Sequence, residues 1–152
     1  MPYSHLDENN GHKSFQLPGS RPHYNPDRPG QVEHISLDLT LDIPNQSFAG
    51  SCTIDLNPVR SGIESLTLDA VNLDIHGVAI DGTKHDFNYD GELIHIPLKI
   101  DVVAGKVLEV VINYGVDKPQ RGLYFIQPDE HYPDQPTQVW TQGEDEDSRF
   151  WF

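Results

Sequence analysis

Glu144, Asp145, Glu146 and Asp147 stand in a row between two apolar aromatic runs, with Trp140 before them and Phe150, Trp151 and Phe152 after. Gln142 precedes the acids and Arg149 follows them. Carboxylates held against aromatic surface are costly unless they reach water, a cation or hydrogen-bond donors. By its charge pattern alone the run fits a solvated loop, as most such runs do. Its setting among aromatic rings makes it the strongest candidate for chemistry in the chain. The last three rings end the sequence in an apolar run, whereas terminal residues are usually polar and frayed. The expectation is a fragment cut at a domain boundary, with Phe150 to Phe152 entering a following domain.

Other reactive residues are scattered. His34, His76, His85 and His95 lie in or near strand-like runs, and none has a partner at a convincing metal-ligand spacing. They read as surface or satisfied strand histidines. Cys52 is the one cysteine, so an internal disulfide is excluded and a reducing compartment, the cytoplasm, is expected. It falls on an apolar strand face and reads as a buried structural thiol. Tyr124, Phe125, Tyr132 and Trp140 could stack on a ligand, but core and domain-interface packing is the expected role. No glycine-rich phosphate loop and no Gly-x-Ser-x-Gly elbow is present.

The 152 residues suffice for one domain with a real core. Formal net charge is −14, a surface that phosphate backbones and anionic lipid would repel, so neither nucleic acid nor membrane is an expected partner. A basic partner or a substrate carrying an ammonium group suits it better. No segment approaches the roughly 20 apolar residues of a membrane helix, and residues 1–30 lack a signal-peptide core.

Residues 1–30 read as an extended leader. Pro18, Pro22, Pro26 and Pro29 mix with Gly11, Gly19 and Gly30 among sparse apolar residues. Arg21 to Tyr24 could pack along a sheet as a strap. A domain over 31–152 follows, and its hydrophobic period is two. Ile35, Leu37, Leu39, Leu41 and Ile43 alternate with polar residues, which predicts a strand with one buried face. Pro44-Asn45-Gln46 is a turn signal, and the run from Phe48 to Leu56 completes a hairpin. Leu66 and Leu68 mark another strand, and Leu73 to Ile80 a further one broken by Gly77. Asp90-Gly91 joins two more over 87–89 and 93–98. Lys106 to Tyr114 is apolar on both faces, which predicts a central strand covered on both sides. Residues 122–126 and 138–142 are the last two strands. No segment shows a helical period, so the fold class is all-β, a sandwich or a large curved sheet.

Thr141-Gln142-Gly143-Glu144, with four residues before Arg149 and then aromatic residues to Phe152, resembles the end of the N-terminal domain of the M1 (gluzincin) zinc aminopeptidases, the family of aminopeptidase N and leukotriene A4 hydrolase. Gly122-Leu123-Tyr124 is similar to a second family segment. The likeness covers about residues 30–152, and its specific part lies in 121–152. It implies a saddle-shaped antiparallel or mixed sheet packed on a smaller one. It implies that Glu144 binds the free α-amino group of a peptide substrate and that Gln142 lines the pocket for the first side chain. Thr141 and Arg149 would support the site, Arg149 by pairing with acids. Asp145, Glu146 and Asp147 receive no role and stay solvated acids. The parent would be a zinc metallopeptidase whose cofactor sits in a catalytic domain that this sequence lacks. The His-Glu-x-x-His helix and the Gly-x-Met-Glu-Asn loop are absent, so this chain alone should hold no zinc and cleave nothing. Two other readings stay open: an M1-like protein-interaction scaffold of the transcription machinery, and a stand-alone β-sandwich binding module.

Overall fold

The computed structural model describes residues 28–152. The expected leader over 1–30, and with it the strap at Arg21 to Tyr24, lies outside the described residues except for Arg28 to Gly30. Ten strands follow in order: β1 Gly30–Asp42, β2 Ser47–Pro58, β3 Ser65–Asp69, β4 Asp74–Ile80, β5 Thr83–His85, β6 Asn88–Tyr89, β7 Leu93–Pro97, β8 Leu108–Asp117, β9 Leu123–Ile126 and β10 Gln138–Thr141. A 3-10 turn spans Asp147–Phe150, and the described residues contain no α-helix.

Five strands form the larger sheet in the order β1-β2-β8-β4-β5, three form a smaller one, β3-β7-β6, and β9 pairs with β10 in a ribbon. Every pairing is antiparallel. The protein is therefore an antiparallel all-β sandwich, with no mixed sheet among the described residues. Period-two alternation in register builds its inner face. Leu37 lies opposite Cys52, Cys52 opposite Ile112, Ile112 opposite Val78 and Val78 opposite His85. This apolar row faces Leu66, Ile94 and Ile96 of the smaller sheet, which are at most 1% exposed. Burial of each such side chain contributes about 1.5–3 kcal/mol. It also raises the Cys52 thiol pKa to about 11.

Three expectations need correction. β8 is central, but only one of its faces is covered: Val110 and Ile112 are buried while Glu109 and Asn113 are exposed. No described layer lies outside the larger sheet. The apolar row of β1 is only half covered, with Ile35 40% and Leu41 41% exposed. β1 is the outer strand of five, and the three short strands opposite are too few to reach under it. β5 is the third difference. Thr83-Lys84-His85 is polar throughout, so hydrophobic alternation does not mark it. Its signal is Asp81-Gly82, whose φ of 48° and 75° makes the two-residue hairpin turn that this dipeptide favours.

Polar groups, His85 buried and the others partly or fully exposed, stitch the connections. Tyr89 accepts a bond from Leu73 N at 3.0 Å and donates to Ala70 O at 2.8 Å, fastening the β3–β4 link to β6. His85 is buried with Nδ1 2.9 Å from Thr83 O. His95 contacts Thr67 Oγ1 at 3.1 Å, and His76 lies 3.2 Å from Asp74.

Candidate functional site

The acidic run lies on a turn that leaves the ribbon. β10 ends with Thr141, opposite the buried Leu123. Gln142 N then donates to Gly122 O at 2.8 Å. Asp147 N donates to Gly143 O at 3.1 Å and closes the turn. Beyond it the chain is tied back to the sandwich. Arg149 O accepts from Val71 N at 2.7 Å, and Trp151 O accepts from the Tyr114 hydroxyl at 2.7 Å. Tyr114 is fully buried, and desolvation pushes its hydroxyl pKa well up.

Gly122 is required here. Its φ is 80°, and a Cβ at this position would stand 2.5 Å from both Asp147 O and Trp151 Cδ1. Only a residue without a side chain lets the turn lie this close to β9.

The four acids separate into two kinds. Glu144, Asp145 and Glu146 are exposed. Asp147 is 6% exposed, with Oδ1 2.6 Å from Arg121 Nη2 and Oδ2 3.5 Å from the Tyr124 hydroxyl. No guanidinium N–H points at Oδ1, so this contact is an ion pair rather than an aligned hydrogen bond. Asp147 is thus a buried structural acid, not the solvated one expected; Arg121, 26 residues earlier, removes much of the cost of burying it. Arg149 sits 3.4 Å from Glu146 and 4.0 Å from Asp69.

Thr141, Gln142 and Glu144 are all exposed on one short stretch. Glu144 N lies 3.5 Å from Gln142 Oε1. Among the described residues, the carboxylates of Glu144 and Asp145 have no hydrogen-bond or ionic partner. Gln142 follows Trp140 by two residues, just past the end of β10, in which Trp140 occupies an exposed face. On that face Trp140 stacks on Tyr124 with ring centroids 4.4 Å apart and planes 17° from parallel. Trp140 is 45% and Tyr132 67% exposed, which leaves domain-interface packing as the expected role for both, whereas Phe125 packs against the core. The turn therefore presents an open carboxylate and an amide beside an aromatic surface, all on a fastened backbone. Such a group can accept bonds from a cationic or N–H donor.

Trp151 and Phe152 also depart from expectation. Both pack against the core of this domain, and Phe152 lines an apolar recess of about 160 Å³ between the sheets, together with Ile35, Cys52 and Tyr114. Phe150 lies under the Arg121 guanidinium, 4.7 Å from it. The recess holds none of the candidate site residues. Among the described residues no group of three His, Cys, Asp or Glu side chains could hold a metal ion, and no helix is long and apolar enough to cross a membrane.

Comparison with known proteins gives a consistent result. The sequence profile of the peptidase M1 N-terminal domain matches residues 21–152. A leucine aminopeptidase 2 of Yarrowia lipolytica is 32% identical over 119 residues, covering 72% of this chain and 18% of that protein. A transcription initiation factor TFIID subunit 2 of Schizosaccharomyces pombe is 28% identical over 60 residues, 40% of this chain and 5% of its own length. Among solved structures, yeast LTA4 hydrolase in complex with bestatin superposes with a TM-score of 0.70 at 21% identity, over 90% of this chain and 23% of that one. At that identity the superposition speaks for the fold alone. The chain spans less than a quarter of each of these proteins.

Proposed function

The chain belongs to the peptidase M1 N-terminal domain family, and from that premise we propose that it forms one wall of the substrate cleft in a cytoplasmic zinc metallo-aminopeptidase. The supporting observation is the Glu144 carboxylate, exposed and unpartnered on a turn whose two flanks are hydrogen-bonded to the ribbon and the sandwich. An aminopeptidase must tell a chain start from an internal peptide bond, and the α-ammonium is the feature unique to the start. Glu144 accepts a charge-assisted hydrogen bond from that ammonium. The bond also sets how far along the cleft the first peptide carbonyl lies. Gln142 lines the pocket for the first side chain, where its amide offers an acceptor and two donors. Thr141 and Arg149 keep the turn on its course. The net charge of −14 draws cationic peptide ends toward the site.

Zinc, which the family resemblance implies for the parent, finds no matching residues among those described. Its ligands and the general base are assigned to the part of the parent outside this chain, and this domain has no catalytic activity of its own. The free buried thiol of Cys52 suits the reducing cytoplasm. The shorter match to a transcription-factor subunit favours a second reading, a protein-docking scaffold, in which Glu144 would be inert.

Steady-state kinetics on the full-length parent separates the two. Glu144→Ala should lower kcat/KM roughly ten- to several hundredfold on a free-amine substrate, because a hydrogen bond to a charged group is worth about 1.5–3 kcal/mol. Glu144→Gln should be milder, since its amide oxygen still accepts. Asp145→Ala should be nearly silent. Equal losses for Glu144→Ala and Asp145→Ala, or undiminished discrimination against an N-blocked substrate, would refute the assignment.

A further inference from the structure

We propose that the Arg121–Asp147 ion pair is a positioning device that holds the Glu144 carboxylate in its receiving place. This rests on the reading of Glu144 as the ammonium acceptor. The six-residue loop that carries Glu144 runs from Gln142 to Asp147, and both of its ends clasp onto two consecutive residues. Gln142 N bonds to Gly122 O at 2.8 Å, and the Asp147 carboxylate lies 2.6 Å from the guanidinium of Arg121. The bond from Asp147 N to Gly143 O closes the loop internally, with Glu144 between the two. The missing Cβ of Gly122 lets the Asp147 backbone seat directly against β9. The 4.7 Å contact of Arg121 with the Phe150 ring restricts where the guanidinium can go.

An ion pair with one buried partner and one exposed partner is weak as a source of stability, because desolvation of Asp147 and solvent screening at Arg121 consume much of the Coulombic gain. The burial of one partner is nevertheless a constraint: Asp147 is 6% exposed and must keep its carboxylate near Arg121. Rotating the loop to carry Glu144 elsewhere would separate a buried charge from its partner. The pair therefore selects one conformation of a loop that is otherwise exposed. Arg121 and Asp147 touch no substrate in this account; they act through Glu144.

The test uses the full-length parent and a readout that loss of folded protein does not move: the ratio of kcat/KM for a free-amine substrate to that for its N-blocked counterpart. Asp147→Asn, isosteric but uncharged, should lower the ratio several-fold, and Arg121→Lys, which keeps the charge, should retain most of it. In the Glu144→Ala background Asp147→Asn should lower the ratio no further, since the two residues act as one unit. Hydrogen exchange at the Gln142 and Asp147 amides should quicken in Asp147→Asn, with the β7 amides unchanged. A wild-type ratio in Asp147→Asn alongside a collapsed ratio in Glu144→Ala would overturn the positioning role and leave the Glu144 assignment standing. No change in either variant would overturn both. Unchanged exchange at Gln142 and Asp147 would also overturn the clasp.

Discussion

Ile96 is 0% exposed between two sheets, whereas Glu144 stands in solvent on a loop closed by two backbone bonds and an ion pair. The sandwich is held by non-directional apolar burial, and one methylene more or less there changes stability and little else. The loop is held by a few localised polar contacts that contribute little net free energy but define where one carboxylate lies. Core substitutions should therefore alter how much folded protein exists. Loop substitutions should alter what the folded protein recognises. Tyr114 joins the two regions, with its ring in the core and its hydroxyl on Trp151 O.

The largest effect on stability is expected in the core. Ile96→Ala should cost about 2–5 kcal/mol in chemical denaturation, from lost transfer energy and the cavity left behind. It should leave the free-amine preference of the remaining folded protein intact. A change in that preference would show that the regions are not separable.

Alkaline pH probes the core by a second route. The Cys52 thiol has its pKa raised from 9.0 to about 11 by desolvation. Below pH 9 it is protonated in both folded and unfolded chains, and its contribution is complete. Between about pH 9 and 11 only the unfolded chain releases the proton, so stability falls as pH rises, by about 2–3 kcal/mol in all. Wild type should lose more stability than Cys52→Val between pH 8 and pH 10.5. Parallel losses would place the thiol in contact with water.

The smallest effect sharpens the comparison at its boundary. Tyr114→Phe removes one hydroxyl and leaves Trp151 O without its donor, at a cost of about 1–2 kcal/mol. Hydrogen exchange should also rise at the Trp151 and Phe152 amides, which donate to Ser148 O. Unaltered exchange there would mean that the segment is seated by its rings alone.

The hairpin of β1 and β2 and the paired β6 and β7 were legible because alternation and an Asn or Asp turn are local signals. One-sided cover of β8 was not, because Val107 and Val111 make the stretch look two-faced although no layer among the described residues covers their side. The half-exposed row of β1 was illegible for the related reason that alternation says which face is apolar, not how wide the opposing sheet is. Thr141, Gln142 and Glu144 stand out as one candidate group through the family resemblance of the Thr141-Gln142-Gly143-Glu144 segment, not through any local physical signal. The burial of Asp147 was not, since it depends on Arg121 far back in the chain and on the absent Cβ of Gly122. Within a row of four acids, nothing local marks which one turns inward.

The most direct measurement is the structure of the full-length protein with an amino-acid product bound, read for the distance between its α-ammonium and the Glu144 carboxylate. The account predicts a hydrogen bond, with N···O of about 2.7–3.2 Å, and Asp147 still paired with Arg121. An ammonium held by other groups, with Glu144 facing open water, would contradict it.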